Sequence, residues 1–234
     1  VFMGPHAYEQ AWGEEPAFDA VFAVSTTDAD ARARFSRPGG PAVEVGGDYM
    51  KGSPIRQDWL ATVLGWAAGR HGVSVEEYMG SHQLDPTAQE LWSYFRAAID
   101  WAHSMFPHYR REMKGLPWGP WYDTNHTRTD LDPARLEKRV SELMADEDVT
   151  RKSGVYAYVL DGDERHLSIR AFDKRTQRAA YERQDGRCAL CGRAFDLSDM
   201  HADHITPWSA GGHTTPENCQ MLCRDCNLRK GAQR

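Results

Sequence analysis

All five cysteines of this 234-residue chain fall in its last 47 residues, as Cys188, Cys191, Cys219, Cys223 and Cys226. Four of them make two Cys-x-x-Cys pairs, Cys188-Ala-Leu-Cys191 and Cys223-Arg-Asp-Cys226, with 31 residues between the pairs. Two intervening residues let both sulfurs of a tight turn reach one ion, and two such turns complete a tetrahedral site, so zinc is the expected metal. An odd cysteine count suits a complete disulfide framework poorly, and two pairs in one short segment favour a metal over thiol redox chemistry. Zinc affinity would supply much of the folding energy of so small a module. Cys219 is left over and reads as a small buried apolar residue.

The formal charge of −6 hides a division. Residues 1–173 hold 18 basic and 27 acidic side chains, a balance of −9, while residues 174–234 hold 10 and 7, a balance of +3. A polybasic-tail binder is excluded, but a mildly basic module sits behind an acidic one. No run approaches the roughly 18 apolar residues that span a bilayer, and the first thirty residues lack the layout of a signal peptide, so the expected compartment is the cytoplasm. The chain begins at Val1, which reads as a processed product or a piece of a longer protein.

Loops and short elements are expected over the first 50 residues, around clusters such as Trp12-Gly-Glu-Glu-Pro16 and Arg37-Pro-Gly-Gly-Pro41. Apolar residues recur at helical spacing from Gln57 to His71, ahead of Gly72, and Ser74 with Glu77 forms a capping-box pattern. Asp85-Pro86 and Asp132-Pro133 each resemble a cap followed by a first-turn proline, opening helices that carry Leu91 to Phe106 and Leu136 to Met144. The run Val155-Tyr-Ala-Tyr-Val-Leu160, the turn Asp161-Gly-Asp163 and the alternation over Leu167–Phe172 predict a β-hairpin. Asp173 then caps a basic helix to Gln184.

The segment between the cysteine pairs holds a carboxylate beside an imidazole, Asp203-His204, a Gly211-Gly212 turn, and the amides of Asn218 and Asn227. Oxygen ligands for a hard cation, a base for water and amides to fix the base are the parts of a one-metal phosphodiesterase. Adjacent strand residues point to opposite faces, so Asp203 and His204 can share one site only where a strand ends, twists or bulges.

Asp203-His204-Ile205, Pro207, Gly211-Gly212, Asn218, Leu222-Cys223, Cys226-Asn227 and Lys230-Gly231 together resemble the HNH endonucleases of the four-cysteine zinc type. The resemblance covers about residues 174–234. It implies a ββα-metal fold with His204 as general base, Asp203 and Asn227 as ligands of a catalytic Mg²⁺ or Mn²⁺, and Asn218 orienting the His204 ring. It also implies a structural Zn²⁺ on Cys188, Cys191, Cys223 and Cys226. The final ligand position, often histidine in the family, is Asn227 here, which favours an oxygen-preferring ion. DNA phosphate contacts are expected from Arg187, Arg193, Arg224, Arg229 and Lys230, and exposed positions for His201 and His213. A tetrahedral Zn(Cys)₄ centre adds −2, so intrinsic DNA affinity should be modest and salt-sensitive.

Segments such as Tyr78-Met-Gly-Ser-His82, Glu90-Leu-Trp92, Tyr109-Arg-Arg-Glu-Met113 and Asp146-Glu-Asp148-Val-Thr150 resemble the region preceding HNH in GmrSD-like restriction proteins with a ParB-like nucleotidase domain. That resemblance implies the effector part of a phage-defence protein, with an upstream nucleotidase domain or another subunit as partner. The expected architecture is α+β. A mainly helical region over 1–173, serving DNA recognition or as scaffold and ending in the β-hairpin, precedes a zinc-stapled nuclease domain over 174–234. A non-catalytic zinc module that binds nucleic acid or protein is the competing class, but it has no use for Asp203, His204, Asn218 and Asn227 together.

Overall fold

A computed structural model describes residues 26–231, so the expectation for the Trp12–Pro16 cluster lies outside the described residues. The fold is α+β, and the chain divides into two compact units, Val1–Arg139 and Val140–Arg234. Among the described residues no helix is long and apolar enough to cross a membrane.

The first unit is helical: α1 (Thr26–Phe35), α2 (Pro41–Gly46), α3 (Asp58–His71), α4 (Val75–His82), α5 (Gln89–Met105) and α6 (Trp118–Asn125), with α7 (Pro133–Ala145) running across the division. Phe35, Leu60, Phe95, Ile99, Phe106 and Trp118 are fully buried and form its centre. Local capping explains several boundaries. At α4 the Ser74 hydroxyl accepts the Glu77 N–H at 3.1 Å, and the Glu77 carboxylate accepts the Ser74 N–H at 2.9 Å. Asp132 accepts the Arg135 N–H at 2.7 Å ahead of α7.

Two boundaries differ from expectation. Helix α5 starts beyond Asp85-Pro86, because Asp85 pairs with His82 at 2.7 Å while Asp30 of α1 reaches across to accept the Ala88 N–H at 2.9 Å. A tertiary carboxylate thus serves this helix start, where the local Asp-Pro signal predicted the cap. Helix α6 has no clear signal in Trp118-Gly-Pro-Trp, and is held by the Trp118 indole N–H donating to the Met113 carbonyl at 3.0 Å.

In the second unit the predicted β-hairpin over 155–172 is replaced by α8 (Val155–Asp161) and a turn of 3₁₀ helix at Glu164–His166. A six-residue apolar run does not by itself separate strand from helix. Here Val155, Tyr156 and Leu160 are buried, a helical spacing, and Gly162 closes the helix in the left-handed region at φ 79°. Pairing in this stretch is confined to the bridge between Val149 and Ile169.

Then come α9 (Lys174–Arg183), capped by Asp173 as expected, strand β1 (Met200–His204), strand β2 (Cys219–Cys223) and α10 (Arg224–Gly231). The strands pair antiparallel from Met200 opposite Cys223 to His204 opposite Cys219. The far edge of β2 is covered: the Gln184 amide takes the Met221 N–H at 2.8 Å and returns an N–H to the Met221 carbonyl at 3.0 Å. Arg183 donates to the Cys219 carbonyl at 2.6 Å, fixing α9 against β2. This compact unit takes in residues 140–173, so the nuclease-like segment packs together with the stretch ahead of it.

Candidate active site and metal centre

Cys188 and Cys191 sit on the turn after α9, and Cys223 and Cys226 join the end of β2 to the first turn of α10. Their four sulfurs lie within 4.8 Å of one another, with Cys191 and Cys223 at 4.0 Å. Zn–S bonds of about 2.3 Å in a tetrahedron place sulfurs about 3.8 Å apart, so the set can hold one metal ion with little adjustment. The Arg193 backbone N–H and its guanidinium bring the Cys191 thiol down to about 6, toward the thiolate that binds metal. Arg229 donates to the Cys226 sulfur at 3.1 Å. Cys219 lies outside this cluster, fully buried, and burial raises its thiol pKa.

Strand β1 ends at His204, which answers the geometric condition on adjacent strand residues: Asp203 and His204 both border one cavity of about 470 Å³, which Asn227 of α10 also lines. Arg170, Phe172, His201 and Trp208 complete much of the lining. The Phe172 ring lies 4.5 Å from the His204 ring, and His204 Nε2 meets the Thr214 hydroxyl at 3.0 Å. Two oxygen donors, the Asp203 carboxylate and the Asn227 amide, suit a hard divalent ion that keeps several waters.

Asn218 acts on the loop. Its amide N–H groups donate to the carbonyls of Thr206 at 3.0 Å and His213 at 2.9 Å, and its Oδ1 accepts the Thr206 N–H at 2.8 Å. These bonds close residues 206–213 into a turn that leads directly into Thr214. The turn requires Gly212, where an added Cβ would sit 1.9 Å from the Thr206 carbonyl oxygen and 2.7 Å from the Asn218 amide nitrogen. Gly212→Ala is expected to lower unfolding free energy by about 1–3 kcal/mol in a denaturant titration, as overpacking does. An unchanged midpoint would show that the loop yields.

The five basic residues expected at DNA do not gather in the cavity. Arg187 donates to the Gly192 carbonyl at 3.1 Å, Arg193 lies over the Phe195 ring beside Cys191, and Arg229 leans on Cys226. Arg224 is exposed at the start of α10. Lys230 turns inward and donates to the Asp203 carboxylate and the His204 carbonyl. Arg193 and Arg229 thus stand at the Cys191 and Cys226 sulfurs, where their charge favours the thiolate form. His201 and His213 are exposed as expected, yet His213 also pairs with the buried Asp148 at 3.1 Å. In the sequence Asp148 stands out only within the Asp146-Glu-Asp148 segment, Arg170 and Phe172 only within the Leu167–Phe172 run, and Thr214 carries no signal of its own.

The family described as HNH endonuclease matches residues 188–233, which contain the four-cysteine cluster, both strands and α10. This segment of the chain is thus similar to the HNH endonuclease family. Over 99 residues, 41% of this chain, the sequence is 32% identical to a CRISPR-associated endonuclease Cas9 from Corynebacterium diphtheriae. The chain spans about 9% of that relative's length. No solved structure gives a significant match.

Proposed function

We propose that this chain is a divalent-metal-dependent DNA endonuclease, the cytoplasmic effector part of a bacterial restriction or phage-defence protein. The observation that carries it is that Asp203, His204 and Asn227 line one cavity at the end of β1. The match to a nuclease of a CRISPR system and the resemblance of the upstream segments to GmrSD-like proteins support the defence assignment.

His204 takes a proton from a water molecule whose oxygen attacks the scissile phosphorus, the P–O3′ bond breaks, and the 3′ oxygen leaves and is protonated by solvent. A neutral imidazole, with one nitrogen lone pair free to accept a proton, suits this role. Asp203 and Asn227 would hold Mg²⁺ or Mn²⁺, which supplies charge stabilisation at the phosphate and the leaving oxygen. Cys188, Cys191, Cys223 and Cys226 hold a structural Zn²⁺. Arg187 and Arg224 are assigned to phosphate; Arg193 and Arg229 join them on leaving the cysteine sulfurs, and Lys230 holds Asp203 in place.

The test is plasmid cleavage by the zinc-loaded full chain with Mg²⁺ or Mn²⁺ added or omitted; a chelator is avoided because it would also remove zinc. Nicking or linearisation only when the ion is added, weakening as salt rises, is the expected result. Zinc-loaded, folded protein that cuts no DNA with either ion would leave a non-catalytic binding module.

A further inference from the structure

Thr214 joins three groups that lie far apart in the chain. Its backbone N–H donates to Asp148 at 3.0 Å, its hydroxyl donates to the Arg170 carbonyl at 3.2 Å, and the same hydroxyl oxygen meets His204 Nε2 at 3.0 Å. The two groups that hold Thr214 are themselves tied together. The Arg170 N–H donates to the Asp148 carbonyl at 2.8 Å, and Val149 bridges Ile169 alongside. Asp148 is only 6% exposed. Burial alone would raise its carboxyl pKa, but hydrogen bonds from Thr214 and His213 hold it below the usual range, so it is a charged acceptor at neutral pH.

A threonine hydroxyl has one proton and two lone pairs. With that proton given to the Arg170 carbonyl or shared with the Asp148 carboxylate, the oxygen can only accept at its contact with the imidazole. His204 must then carry its proton on Nε2. The opposite tautomer would draw the hydroxyl proton to Nε2 and leave the Arg170 carbonyl facing an oxygen lone pair. Phe172 packs on the ring at 4.5 Å and limits its rotation.

We infer that Thr214, locked by Asp148 and the Arg170 carbonyl, is a positioning residue that sets the tautomer and orientation of His204, making Nδ1 its basic nitrogen. This rests on the nuclease reading for its catalytic meaning, though the tautomer itself does not. Asp148 and Arg170 precede the segment 188–233 that matches the HNH family, so the working unit extends back through the stretch that carries them.

The test uses the full zinc-loaded chain. Nitrogen-15 NMR of histidine-labelled protein at pH 8, with the His204 signals assigned against His204→Ala, reads the tautomer directly. The Nε2–H form is expected in the wild type and in Thr214→Ser, with Nδ1–H signal appearing in Thr214→Val. In plasmid cleavage, Thr214→Val should lower kcat about tenfold to a hundredfold, the cost of a misplaced catalytic group, with KM and zinc content unchanged, and Thr214→Ser should restore it. An Nδ1–H wild type overturns the proposal without any variant. So does a Thr214→Val protein with wild-type tautomer and kcat, or a Thr214→Ser protein as impaired as the valine variant. A wild type that cuts no DNA defeats the nuclease reading instead, and the NMR result still decides the role of Thr214.

Discussion

Replacing His204 with alanine is expected to lower the rate of metal-dependent plasmid cleavage by about 10²–10⁴-fold, the usual contribution of a general base. The fold should survive. His204 closes β1 by backbone pairing with Cys219, which alanine retains, and its side chain gives up the Phe172 ring contact and the Thr214 hydroxyl. Zinc content and circular dichroism should therefore match the wild type, separating lost chemistry from lost structure. Some cleavage should remain, because cation binding at Asp203 and Asn227 does not require the imidazole. Equal rates for the variant and the wild type would remove His204 from the mechanism.

Loss of the cysteine-bound ion should have the largest structural effect. The core around the strands has nine buried residues, and four are cysteines: Cys188, Cys219, Cys223 and Cys226. So little hydrocarbon cannot hold a two-stranded sheet and a short helix, whereas structural zinc in small domains contributes about 10–16 kcal/mol of apparent binding free energy. Metal analysis is expected to return one zinc per chain. Cys223→Ser, or chelation, should abolish amide-exchange protection across β1 and β2 and end cleavage. Cys219→Ser provides the contrast: a hydroxyl in a buried apolar site costs about 1–3 kcal/mol, but zinc stays bound. A zinc-free wild type with protected strands would overturn the metal assignment, and equal zinc loss in both variants would bring Cys219 into the site.

Much of the candidate site was legible because its signals are local. Two residues between cysteines, Asp beside His, and an asparagine one position after Cys226 are spacings that can be read along the chain. Helix starts at Ser74, Asp132 and Asp173 were legible for the same reason, since a capping side chain bonds an N–H only three residues on. Where a partner came from a distance, the local signal misled. Asp85-Pro86 looked like a cap, yet Asp30, 58 residues from Ala88, does that work. The Val155–Leu160 run contains strand-forming side chains, and only burial on one helical face made it α8.

The sequence by itself determined the chemical inventory of this protein: four clustered thiols, a carboxylate, an imidazole and two amides, in an order and spacing shared with HNH nucleases. Tertiary structure decided how those groups are supported. It turned Lys230 onto Asp203, set arginines against the cysteine sulfurs, and brought Asp148, 66 residues away, to Thr214 beside the His204 ring. Such contacts depend on how loops close and elements pack, and no spacing along the chain records them.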